Sequence, residues 1–115
     1  MSALDRIIDT DNDGVVPPIV CADGFKLSVQ ASWGHYAIDS AGKRPELKIT
    51  RPHTFTSDAV LPWASVEVGY PSARPEPWAD WEQYCDSPSD PTSTVYGYVP
   101  VDLVRALIDA HGGAA

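Results

Sequence analysis

The sequence predicts an α+β domain: a small antiparallel sheet of about four strands, a C-terminal amphipathic helix and one short helix near residues 77–85. Three observations lead there. Residues 94–113 read as a strand running into a capped helix. Residues 25–32 alternate apolar and polar side chains with a period of two, as a half-buried strand does. Eleven prolines, most of them between residues 17 and 91, cut the chain into pieces too short for a helical bundle. At 115 residues the chain has the length of one domain.

Residues 1–18 are expected as an acidic N-terminal segment of turn or loop, in which residues 2–8 can make a turn or two of amphipathic helix. The domain spans 19–113. Ile19–Cys21 and Phe25–Ser32 form two strands joined through Asp23-Gly24, a dipeptide suited to the positive φ of a tight hairpin turn. Phe25, Leu27, Val29 and Ala31 then pack, while Lys26, Ser28, Gln30 and Ser32 face water. Residues 33–60, interrupted by Gly42, Pro45 and Pro52, are expected as an extended, loop-rich insert. Trp63–Tyr70 resumes as a central strand with Val66, Val68 and Tyr70 on one side, and Pro71 ends it.

After Pro77, the spacing of Trp78, Trp81 and Cys85 predicts a short helix with Asp80, Glu82 and Gln83 outward. Residues 86–93 are a polar loop and Thr94–Val99 a strand. Pro100 suits a first helical turn, and Asp102 lies at the positive end of the helix dipole. Leu103, Val104, Leu107, Ile108 and His111 form the apolar stripe, with His111 set against the carbonyls of the last turn. Gly112 closes the helix, and Gly113 with two alanines frays beyond it.

Sixteen acids against eight bases give a formal charge of −8, which repels a phosphate backbone and disfavours nucleic acid as a partner. No apolar run approaches the ~20 residues of a membrane span, and residues 1–20 lack the basic-then-apolar order of a signal peptide, so a cytoplasmic protein is expected. Cys21 and Cys85 are far apart and are expected reduced and packed. The charge is uneven. Residues 76–90 carry Glu76, Asp80, Glu82, Asp86 and Asp90 without a base, whereas residues 43–51 hold Lys43, Arg44, Lys48 and Arg51 with one acid.

Three constellations are candidates for chemistry. Asp9, Asp11, Asp13 and Gly14 match the opening of a calcium loop, but the closing position, where a bidentate glutamate belongs, is Val20, and Pro17-Pro18 stand where an exit helix would start. An acidic turn is therefore expected, with no metal. Cys21, His35, His53, Cys85 and His111 lack the paired spacing of zinc ligands. Nine Trp and Tyr residues between 33 and 98 supply both core and contact surface, with Trp33, Tyr36 and Trp78 expected to stay partly exposed. No cofactor and no catalytic set is implied, so the chain is not expected to be an enzyme.

The words Ala22-Asp23-Gly24-Phe25, Ser28-Val29-Gln30-Ala31-Ser32, Val66-Glu67-Val68-Gly69-Tyr70-Pro71-Ser72, Val95-Tyr96-Gly97-Tyr98-Val99-Pro100 and His111-Gly112-Gly113 resemble those of small, functionally unassigned bacteriophage proteins, notably from phages of actinobacteria. The resemblance runs from about residue 20 onward and implies a small phage accessory protein in the cytoplasm of an infected bacterium. Such a protein is expected to act by non-catalytic binding, blocking or redirecting a host or defence protein through Glu76, Trp78, Asp80, Glu82, Trp33 and Tyr36. The alternatives are sequestration of a small anionic ligand such as a signalling nucleotide, with Lys43, Arg44, Lys48 and Arg51 as the cations and Trp33 or Tyr36 as a stacking face, and a virion or assembly component that self-associates symmetrically.

Overall fold

Two short helices and a C-terminal one frame a four-stranded antiparallel sheet in the computed structural model, which describes residues 2–51 and 54–115, with the backbone alone for residues 50, 51, 54 and 55. The chain runs α1 (Ala3–Ile8), β1 (Ile19–Val20), β2 (Lys26–Gln30), β3 (Leu47–Arg51), β4 (Thr54–Ser57), β5 (Ser65–Gly69), α2 (Trp78–Trp81), a 3₁₀ turn (Glu82–Tyr84), β6 (Val95–Pro100) and α3 (Val101–Ala110). The sheet order is β1-β2-β5-β6, and β3-β4 form a separate antiparallel ribbon. The expected α+β class, the four strands and the terminal helix are all present.

Register puts the core on one face. Ile19 pairs with Leu27, Val29 with Val68, Val68 with Tyr96, and Val66 with Val99, so these side chains project together. Against them pack Leu4, Ile7 and Ile8 of α1 and Val104, Leu107 and Ile108 of α3. The turn or two of amphipathic helix read at residues 2–8 is present as α1, and it belongs to the core. Ser2 and Asp5 cap it reciprocally, and Arg105 of α3 donates to Asp5 at 2.8 Å. That guanidinium, with Ser2, holds the Asp5 carboxyl below the usual aspartate range.

The opposite face is less open than the alternation suggests. Gln30 is buried because its amide exchanges two 2.8 Å hydrogen bonds with the backbone N–H and C=O of Val16. Ser65 is buried beneath the chain at Ile38, whose N–H it accepts at 3.1 Å. Polar residues on this face therefore anchor loops. Residues 33–60, expected to be loop-rich throughout, contain the β3-β4 ribbon, which rests on hydrogen bonds at its base: the Glu46 N–H donates to Asp58 at 2.6 Å and the Ser57 hydroxyl to Asp11 at 2.7 Å.

Gly112 (φ +89°) closes α3 as expected, with the N–H groups of Gly112 and Gly113 donating to the carbonyls of Asp109 and Ile108. The residues beyond do not fray. The Ala22 N–H donates to the Gly113 carbonyl and the Ala115 N–H to that of Val20, both at 2.8 Å, so the tail pairs along the free side of β1. His111 faces a different partner from the one anticipated: Nδ1 donates to Asp23 at 2.6 Å and the ring stacks on Phe25 at 3.9 Å, which fastens the helix end to the β1–β2 turn.

Tyr70, expected on the packed side of the central strand, is 65 % exposed and sits at φ +46°, where a side chain with a Cβ is strained. Tyr70→Gly is expected to raise stability by about 1 kcal/mol, because it releases that strain and gives up little burial. Urea denaturation checks it, and a loss of stability would show that the exposed ring carries packing energy.

Candidate functional site

A recess of about 320 Å³ opens beside β6, lined by Tyr36, Tyr84, Tyr98, Gln83, Cys85 and Asp86 with Val95 and Gly97 beneath them. Three separate segments build it. The sheet contributes a bulge: Val66 pairs with Val99 and Val68 with Tyr96, so Glu67 alone opposes both Gly97 and Tyr98. The extra residue is Tyr98, held at φ +55° and 37 % exposed. Left-handed backbone costs a non-glycine residue roughly 1–2 kcal/mol, so the bulge aims this ring outward at a cost in stability. Gly97 makes the floor, since a Cβ there would stand 3.3 Å from the Tyr36 Cβ.

The second segment is the turn carrying Tyr36. Its carbonyl accepts the Tyr98 N–H at 3.0 Å, and the Tyr36 and Tyr98 rings lie 5.7 Å apart and tilted by 51°. Just beyond, Asp39 is 2 % exposed and accepts backbone N–H groups from Val60 (2.9 Å), Ala41 (3.0 Å) and Lys43 (3.0 Å). The Val60 donor above all, then those of Lys43 and Ala41, keep its carboxyl below the usual range despite burial. This knot sets the path of the chain from Tyr36 to Arg44. The Arg44 guanidinium stands 5.7 Å from the Tyr36 ring centroid and 5.9 Å from that of Tyr98.

The third segment is the 3₁₀ turn and the residues that follow it. Cys85 bridges to Tyr96, and the Asp86 N–H donates to the Val95 carbonyl at 3.0 Å, which brings Tyr84 and Asp86 to the recess wall. Beneath, Tyr96 is buried edge-on to Trp81 and Trp78, and its hydroxyl donates to the Pro91 carbonyl at 2.5 Å. Burial first, then the adjacent Cys85, pushes that hydroxyl well above the ordinary tyrosine value, so it stays protonated.

Of the residues singled out from sequence, the structure brings Tyr36 and Arg44 together, the stacking face and one of the cations of the anion-capture alternative. Trp33 is exposed on the same turn, outside the recess lining. Glu76 and Trp78 are tied up locally: Arg74 pairs with Glu76 at 2.8 Å and lies 5.4 Å from the Trp78 ring centroid, and the Trp78 N–H donates to Glu76 at 3.1 Å. Arg74 above all lowers the Glu76 carboxyl from its usual value. Asp80 and Glu82 are exposed on α2 and the 3₁₀ turn. Lys43 and Lys48 are exposed away from the recess lining, and the Arg51 side chain lies outside the described residues.

Asp9, Asp11 and Asp13 are not gathered into one site. Asp11 accepts from Ser57, and between them Asn12 turns inward and donates to the carbonyls of Ile7 (2.9 Å), Thr10 (3.1 Å) and Ala31 (2.8 Å). Among the described residues no three His, Cys, Asp or Glu side chains are placed to hold a metal ion. His53 lies outside the described residues. Cys21 is buried, and desolvation, then the charge of Asp23, raises its thiol above the ordinary range. The Ser32 hydroxyl and His35 Nδ1 share a 2.5 Å hydrogen bond, but Ser32 is 2 % exposed and also accepts the Gly34 N–H, so the pair closes a turn.

Tyr84 and Tyr98 were not marked as site residues. The signal for Tyr98 is the lone Gly97 inside a strand pattern, which points to a bulge or a close approach. No family model, curated protein or solved structure matches this chain. Among the described residues no helix is long and apolar enough to cross a membrane.

Proposed function

We propose that this chain is a small accessory protein of bacteriophage type that works in the bacterial cytoplasm by non-catalytic binding, seating part of a host or defence protein on the Tyr36–Tyr98–Tyr84 recess and so blocking or redirecting it. The observation that carries this reading is the outward tyrosine at a strained bulge. A ring held in an unfavourable backbone conformation and left partly in water does little for the fold, and strain of that kind collects where a protein makes contacts. Tyrosine suits the role, since it offers a large rigid face and a polar tip at small entropic cost. The recess supplies concavity, and an acidic body with a charge of −8 suits a partner with basic features.

The test is capture from a bacterial host lysate by the tagged protein, read by intact-complex mass, with Tyr36→Ala and Tyr98→Ala beside the wild type. One stoichiometric host protein is expected with the wild type. Each tyrosine variant should weaken that complex by about thirtyfold or more while its circular dichroism stays unchanged. An empty eluate, or capture indifferent to both tyrosines, would sink the reading. Sequestration of a small anionic ligand is the second reading, favoured by the guanidinium of Arg44 beside two stacking faces.

A further inference from the structure

We infer that the outer edge of β1 accepts an extended segment of another protein, which adds as an antiparallel strand in place of residues 113–115 and sets a large apolar side chain where Ala114 stands. The site lies at the opposite edge of the sheet from the recess beside β6, and it does not depend on the docking role proposed for that recess. The chain's own tail shows the register. Cys21 and Ala114 form an antiparallel bridge flanked by two hydrogen bonds of 2.8 Å, from the Ala22 N–H to the Gly113 carbonyl and from the Ala115 N–H to the Val20 carbonyl. Residues directly opposite one another in such a pair share a face of the sheet. Ala114 is therefore on the side of Cys21, which is 1 % exposed and belongs to the core beneath α1 and α3. Yet Ala114 itself is exposed. The reason is a hollow of about 240 Å³ beside it, lined by the buried side chains of Leu4 in α1 and Ile108 in α3, which one methyl group does not fill.

The resident strand is lightly held. Two backbone hydrogen bonds fix it, and neither Ala114 nor Ala115 buries its side chain. Gly113, at φ +84°, gives it a hinge, and the fastening of His111 to Asp23 and Phe25 lies upstream of that hinge, so the tail can leave without moving α3. Strand addition draws its affinity from main-chain hydrogen bonds and its specificity from pockets under alternate side chains. Both parts are present here. The pocket favours carbon, because Leu4 and Ile108 line it and the one cation in its lining, Arg105, is already bonded to Asp5. The tail of a second copy would bring the same alanine and leave the hollow unfilled, which points to a different protein as the source of the strand.

The experiment titrates three capped pentapeptides of glycine and alanine, with leucine, alanine or lysine at the central position, into the wild type, Ala115→Pro and Ala114→Leu. Binding is followed by NMR through the backbone amides of residues 20–22. Ala115→Pro removes the N–H that bonds to Val20 and so loosens the tail. The leucine peptide is expected to bind this variant about tenfold more tightly than the wild type, where the tethered tail competes, and about tenfold more tightly than the alanine or lysine peptide does. Ala114→Leu fills the hollow from within, so it should raise the thermal midpoint by about 4 °C and weaken the leucine peptide about tenfold relative to the wild type. Equal binding of the three peptides, binding by none, or no gain in Ala115→Pro overturns the inference. So does a lower midpoint in Ala114→Leu, which would mean that the hollow rejects a larger side chain. A preference for the lysine peptide would assign the site to Asp109 at its lining, and dimerisation of Ala115→Pro that shuts the peptides out would assign the edge to a second copy; either result removes the proposed strand.

Discussion

Asp39→Asn is expected to destabilise the protein by about 3 kcal/mol and to lower its thermal midpoint by roughly 10–15 °C. The carboxylate is buried and uses both oxygens, one on the Ala41 and Lys43 N–H groups and the other on that of Val60. An amide in its place turns an NH₂ toward one of these donors and leaves a buried N–H without an acceptor, which is costlier than the loss of a hydrogen bond exposed to water. The effect has a pH signature. Because the folded carboxyl titrates below its unfolded value of about 3.9, its contribution is fully present above that value and is lost as pH falls through the folded one. Urea unfolding at pH 7 and near pH 3 should show the wild type and the variant far apart in the first case and closer in the second. Equal stabilities at pH 7 would mean that the carboxylate does not hold the turn. Since the same turn leads from Tyr36 to Arg44, the variant should also broaden the ring resonances of the recess.

Trp63→Ala is expected to cost about 4 kcal/mol. The side chain is 1 % exposed, its indole N–H donates to the Thr10 carbonyl at 3.0 Å, and its backbone N–H donates to that of Ile8 at 2.9 Å. Truncation leaves a large cavity where α1 and the loop after it meet the sheet, together with an unsatisfied carbonyl. Trp63→Phe keeps most of the volume and loses the hydrogen bond, so it should cost about 1–2 kcal/mol. Denaturation of both variants separates cavity from hydrogen bond. A small loss in Trp63→Ala would mean that the first twelve residues dock without help from this ring.

The elements written plainly in the sequence are those whose signal is local. The alternation of Phe25, Leu27 and Val29, the Asp23-Gly24 turn, and the stripe of Val104, Leu107 and Ile108 closed by Gly112 all appear where periodicity and turn chemistry place them. What stayed illegible depends on distant partners. Leu47 and Ile49 alternate weakly between prolines, and their strand exists because 54–57 folds back on it. Gln30 and Ser65 look like solvent-facing positions until residues 16 and 38 arrive to bond them. Asp39 is one acid among sixteen, and only the three N–H groups converging on it set it apart. The recess was half legible. Tyr36 was singled out, as was Arg44 beside its ring, while Tyr98 and Tyr84 entered only as members of an aromatic set, because the bulge and the 3₁₀ turn that deliver them are products of sheet pairing.

The pairing of Arg105 with Asp5 joins residues a hundred positions apart. On a ribosome, β2 and β5 emerge long before β6 and α3, so the apolar face of Val29, Val66 and Val68 meets water or a chaperone until residues 95–108 clear the exit tunnel. The pairing of β6 with β5 and the docking of α3 then come last, and pairings between segments so far apart in sequence slow folding. Synthesis rate and chaperone supply should therefore govern the soluble yield more strongly than the equilibrium stability of the finished domain.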